Sequence, residues 1–103
     1  MNDLATARRE LDACLRAQPE HADAWAELGL VQTREGQYAE AERSLAKALA
    51  IDADHYAAAL NLAALYGRMK DPRRAAQEAR LATLQEKRAG EAQDFLRLVQ
   101  VVP

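Results

Sequence analysis

Few residues in this chain have side chains that could carry out chemistry. There is one serine (Ser44), one cysteine (Cys14) and two histidines (His21 and His55). A serine becomes a nucleophile when a histidine takes its proton and a carboxylate holds that histidine in place. No acidic residue stands at a spacing that would orient either histidine for Ser44. The two histidines could open a metal site, but two imidazoles leave a zinc ligand set incomplete. A single cysteine cannot build an internal disulfide framework. The chain also lacks a glycine-rich phosphate loop, a paired-cysteine motif and the two-histidine metalloprotease motif. The expectation is a protein that is not an enzyme, with no catalytic residue, no metal and no cofactor.

What such a chain does instead depends on its elements. Its 103 residues make one domain, residues 1–103, with a thin core. Alanine (24) and leucine (14) dominate, against four glycines and three prolines. Both are strong helix formers, because they lose little side-chain freedom and do not compete for the backbone. An aromatic content of 5%, with few β-branched residues before the C-terminal valines, argues against a β-sandwich or barrel. A hydrophobic content of 50% argues against disorder. A net charge of −2 with dispersed arginines is not the footprint of a nucleic-acid binder. Apolar runs fall short of a membrane span, and Asn2 and Asp3 follow Met1 where a leader would turn apolar. With a free cysteine, these features set the expectation of a cytoplasmic protein with no nucleic acid and no membrane among its partners.

The sequence repeats itself. A shift of thirty-four residues places Ala7 on Ala41, Leu11 on Leu45, Leu15 on Leu49 and His21 on His55. It continues with Ala24 on Ala58, Leu28 on Leu62, Arg34 on Arg68, Ala41 on Ala75 and Ala48 on Ala82. The matches fall on apolar positions at helical spacing, the signature of stacked repeats. Helices are predicted over residues 3–17, 22–35, 38–50, 57–69 and 72–87, with a last one from Glu91. Gly36 stands where a left-handed C-terminal cap belongs, and Asp71-Pro72 reads as an N-cap followed by proline at the first helical position. Short gaps make successive helices antiparallel. Repetition also accounts for the histidines, which read as residues of the same turn in successive units. Cys14 echoes Ala48 and Ala82, small positions of helix packing.

The run Trp25-x-x-Leu28-Gly29-x-x-Gln32, followed by Gly36, Tyr38, Ala41, Leu45 and Ala48, resembles a tetratricopeptide repeat. A second, more degenerate unit follows with Ala59-x-x-Leu62-Ala63-x-x-Tyr66, Ala75, Ala79 and Ala82. Gln32 stands for the family's tyrosine, Ala53 for its proline and Ala59 for its tryptophan. The resemblance implies an all-α, right-handed α-solenoid of antiparallel helix pairs. It divides the chain into a half repeat (3–21, second helix only), repeats at 22–55 and 56–89, and a C-terminal capping segment at 90–103. Small residues, Gly29, Ala41 and Ala48 with their echoes Ala63, Ala75 and Ala82, would let helices approach closely.

The resemblance further implies a concave face built by the first helix of each pair. Its positions here are Ala26, Glu27, Leu30, Thr33 and Arg34, then Leu60, Asn61, Ala64, Gly67 and Arg68, with Asp23 and Ala57 on the border. Asp23, Glu27, Leu30, Arg34, Leu60, Asn61, Ala64 and Arg68 are the candidate partner-binding residues. Asn61 offers a donor and an acceptor to a peptide backbone, and the arginines can hold a carboxylate. The expected function is a scaffold that binds a peptide or partner helix. The alternative is an assembly module that self-associates, as a homodimer or on a larger complex, through its terminal helices. Leu4, Leu11 and Leu15 of the opening helix are the candidates for that contact, since a terminal repeat without a polar outer face exposes an apolar patch. At the other end, Gly90 is expected to break the helix. Ala92, Phe95, Leu96 and Val99 would then form a short helix covering Leu81 and Leu84, with strand pairing by Val99, Val101 and Val102 as the alternative.

Overall fold

The computed structural model describes the backbone of residues 3–101 and the side chains of residues 3–91. Five helices follow one another: α1 (Leu4–Ala17), α2 (Ala22–Arg34), α3 (Tyr38–Ile51), α4 (Tyr56–Met69) and α5 (Arg73–Val101). No strand occurs among the described residues, so the fold is an all-α helical repeat. No helix there is long and apolar enough to cross a membrane.

Local chemistry sets the helix ends. Asp3 accepts from the Thr6 amide at 3.1 Å, an N-cap for α1. His21 and His55 take the same job for α2 and α4. Their Nδ1 atoms accept from the amides of Ala24 (3.2 Å) and Ala58 (3.0 Å). The thirty-four-residue spacing of the histidines is therefore the spacing of two helix starts. Gly36 has φ +80°, as a left-handed cap requires, and Lys70, one repeat later, takes φ +53° without being glycine. Asp71 Oδ1 accepts from the Arg73 amide at 2.9 Å and so caps α5.

The core is built where the repeat placed its small and branched residues. Ala41, Leu45, Ala48, Ala58, Ala59 and Leu65 have no exposed surface, and Leu62 and Tyr66 have almost none. Gly29 lets α3 approach α2, because a Cβ there would lie 2.6 Å from Leu45 Cγ. Gln32, at the position where the family carries tyrosine, is buried and accepts from Ser44 Oγ at 2.6 Å. That pair satisfies two polar groups inside the core. A second cluster joins Leu15 of α1 to Ala24 and Leu28 of α2, with Leu11, Cys14 and Trp25 at its edge.

Two expectations fail in α5. Ala63 is buried as its register predicts, but Ala75, Ala79 and Ala82 are exposed although Ala41, Leu45 and Ala48 are fully buried. Instead α5 turns Gln77, Leu81 and Leu84 towards the core, the opposite side of the helix. Burying two leucines removes more apolar area from water than burying three alanines, at about 25 cal/mol per Å². The corner is fixed by Arg73, whose guanidinium lies 4.5 Å from the Tyr66 ring centroid and donates to Glu42 at 2.7 Å. The Tyr66 hydroxyl donates to the same carboxylate at 3.2 Å, and burial with that neighbouring charge pushes the phenol above its ordinary pKa.

Gly90 does not break the helix: α5 runs through it to Val101. A glycine inside a helix costs only about 1 kcal/mol against alanine, which the seventeen helical residues before it and the eleven after it outweigh. Val99 and Val101 are thus helical rather than extended, while Val102 lies outside the described residues. Leu84 is covered by the core it shares with α4, and Leu81 packs against it. Any cover from Ala92, Phe95, Leu96 or Val99 lies outside the described residues, because their side chains are not among them.

Candidate functional site

Helices α2 and α4 touch directly. Their starts are tied together by one bond. Because His55 Nδ1 accepts the Ala58 amide, its proton resides on Nε2, which donates to Asp23 Oδ1 at 2.5 Å. Asp23 therefore serves as a strut between repeats as well as a surface carboxylate.

Asp23, Glu27, Leu30 and Arg34 fall on one face of α2 at spacings of four, three and four residues. Leu60, Asn61, Ala64 and Arg68 follow on α4 at spacings of one, three and four residues. Glu27, Arg34, Ala64 and Arg68 are exposed, and Leu30 and Asn61 are half-buried. Leu60 is 46% exposed, the one large hydrophobic side chain left open among the described residues. Two further positions that the family pattern places on this face, Ala26 and Thr33, are buried instead. Thr33 returns its hydroxyl to the Gly29 carbonyl at 2.8 Å, inside its own helix.

Charge is divided along the strip. Asp23 and Glu27 lie towards the helix starts, and Arg34 and Arg68 occupy the last turns of α2 and α4. Among the described residues neither arginine enters an ion pair, whereas Arg8, Arg73 and Arg74 all do. Two unpaired guanidiniums at corresponding positions can hold a carboxylate by forked hydrogen bonds.

The opening helix belongs to the same surface. A groove between α1 and α2 is lined by Ala7, Glu10, Leu11, Glu27, Leu30 and Val31. Its neighbour brings Leu4 of α1 together with Arg34 of α2. Sequence reasoning treated the concave residues and the leucines of α1 as separate surfaces; Leu11 in fact shares a groove with Leu30. Only the packing of α1 against α2 reveals this, since Leu11 and Leu30 lie nineteen positions apart in the sequence. Leu15 is buried at 9% exposure against α2, while Leu4 and Leu11 remain half-buried.

The residues considered for chemistry are engaged elsewhere. Ser44 is buried and bonded to Gln32, and both histidines cap helices. Cys14 is half-buried at the edge of the α1–α2 cluster. Among the described residues no three His, Cys, Asp or Glu side chains gather as a metal site.

A family model described as tetratricopeptide repeat matches residues 32–99. That span is two periods of thirty-four residues, and it runs from the end of α2 into the second half of α5. No curated protein matches the chain.

Proposed function

The chain belongs to the tetratricopeptide-repeat family, whose repeats are generally protein–protein interaction modules, and from that premise we propose that it binds a protein segment along the strip shared by α2 and α4. The segment is a peptide or partner helix with an apolar side chain for Leu30 and Leu60, an acidic group for Arg34 and Arg68, and backbone groups for Asn61. The module does no chemistry of its own. The observation that carries this reading is Leu60, held 46% exposed beside Asn61 as the one large hydrophobic side chain left open among the described residues. An open leucine followed by an amide, with unpaired arginines in the last turns of the same two helices, supplies an apolar anchor and polar groups of the kind found in binding hot spots.

Selection of peptides from a random displayed library on the purified chain, followed by calorimetry, tests this. Leu60→Glu or Asn61→Ala should weaken the selected peptides at least tenfold, since burying one leucine is worth about 1.5–3 kcal/mol. Lys47→Ala, on the outer side of α3, should change nothing. Peptides indifferent to both strip variants would contradict the reading.

A second reading is favoured by Leu4 and Leu11, which stay half-buried at the α1 edge of the same surface. There α1 would dock on another molecule or on a second copy. Binding lost in Leu11→Glu but kept in Leu60→Glu would select it.

A further inference from the structure

The seating of α2 shows what fits beside α1. Helix α2 packs against both α3 and α4, which also pack on each other, so it fills the cleft between them. Gly29 leaves room for α3, since a Cβ there would meet Leu45 at 2.6 Å and the Ala41 carbonyl at 3.3 Å. Gln32 accepts from Ser44, and Ala26 shares one apolar cluster with Leu45, Leu62 and Leu65. Ala41, Leu45 and Leu65 are left with no exposed surface.

The groove between α1 and α2 is the same cleft one period earlier. It holds about 430 Å³ and is lined by Ala7, Glu10, Leu11, Glu27, Leu30 and Val31. Shifted by thirty-four residues, these fall on Ala41, Ser44, Leu45, Asn61, Ala64 and Leu65. Ala7 and Leu11 are only half-buried, whereas Ala41 and Leu45 are fully covered. Two positions change in kind: Glu10 stands for Ser44, and Glu27 for Asn61. Both glutamates are exposed, and among the described residues neither enters an ion pair.

We propose that this groove takes one basic helix of a partner protein, seated on α1 and α2 as α2 is seated on α3 and α4. The walls set two of its residues. Ala7 and Leu11 repeat the surface that Gly29 meets, so the helix carries glycine or alanine there to come as close. Glu10 stands where Ser44 donates to Gln32, and a carboxylate only accepts. Three positions after the small residue, the helix therefore carries lysine or arginine. Glu27 adds a second negative charge on the facing wall and disfavours an acidic partner. The inference rests on the second reading above, that α1 carries a docking edge, and adds the kind of partner that docks there.

Calorimetric titration of the full chain with synthetic helices tests it. The probe has the sequence of residues 21–36 with Gln32→Lys, stapled on the side away from Gly29; its counterpart carries Gln32→Glu. The lysine peptide should bind about tenfold more tightly at low salt, because an attraction is replaced by a repulsion of similar size. In the Glu10→Lys chain the order of the two peptides should reverse. Leu11→Glu should abolish binding of both, and Leu60→Glu should change neither. Glu10 is exposed, so its substitution spares the core, and far-UV circular dichroism checks that each variant folds. A lysine peptide that does not bind, or one whose advantage survives Glu10→Lys, would overturn the inference. Library-selected peptides that still need Leu11 would then leave the second reading standing, and peptides indifferent to Leu11→Glu would remove that reading as well.

Discussion

Gly29 and Leu45 are in such close register that any side chain at the first would collide with the second. A Cβ on Gly29 would stand 2.6 Å from Leu45 Cγ and 2.7 Å from its Cδ2, and Leu45 has no free surface to move into. Gly29→Ala should therefore destabilise the fold by about 1–3 kcal/mol, although alanine gains about 1 kcal/mol in helix propensity. Urea denaturation measures this directly. Gly90, with nothing within 4 Å of its would-be Cβ, is the control. There the same substitution should stabilise α5 by up to about 1 kcal/mol.

Lys70 and Gly36 occupy the same cap one repeat apart, both with positive φ. The left-handed conformation costs a lysine roughly 1 kcal/mol that glycine does not incur. Lys70→Gly should raise the melting temperature by a few degrees, and Gly36→Ala should lower it by a similar amount. Opposite signs for the two substitutions are the diagnostic result in thermal denaturation.

His55 holds two elements at once, the Ala58 amide and the Asp23 carboxylate. Replacing it by alanine should cost about 1 kcal/mol through the lost cap alone. A double-mutant cycle with Asp23→Ala should show a further coupling of a few tenths of a kcal/mol, the ordinary worth of an exposed pair. Strictly additive effects would mean that the strut between repeats contributes nothing.

Two N-cap carboxyls respond to acid. Hydrogen bonds from the Thr6 side chain and amide hold Asp3 below its ordinary 3.8, and bonds from the Arg73 side chain and amide do so for Asp71. A depressed folded pKa means that the contribution is complete above pH 3.8 and disappears as pH falls through the folded value. Stability measured from pH 5 downward should therefore fall less steeply in Asp71→Asn than in the parent chain. A parallel decline in both would show that the Asp71 cap is not titrating.

The parts legible in the sequence are those where packing dictates residue type. Leu28, Gly29, Ala41, Leu45 and Ala48 are spaced as close helix packing demands, and each is buried where the repeat placed it. The buried face of α5 was not legible because the helix carries two competing faces. Ala75, Ala79 and Ala82 keep the repeat register, whereas Leu81 and Leu84 break it but bury more area, and register alone cannot weigh one against the other. Gly90 misled for a related reason, since the cost of one mid-helix glycine is small beside the cooperativity of a long helix. At the candidate surface, the faces of α2 and α4 came from the family resemblance, which implies that the first helix of each pair lines the concave side. The junction of Leu11 with Leu30 did not, because it depends on how α1 packs across a turn.

The most direct test of the binding surface is a map, by amide chemical shifts, of where a selected peptide touches the full chain. Shifts concentrated at Leu30, Leu60, Asn61, Ala64 and Arg68, with Lys47 and the outer side of α3 silent, are the result the account predicts. Shifts centred on α3 or α5 with the α2–α4 strip unchanged would contradict it.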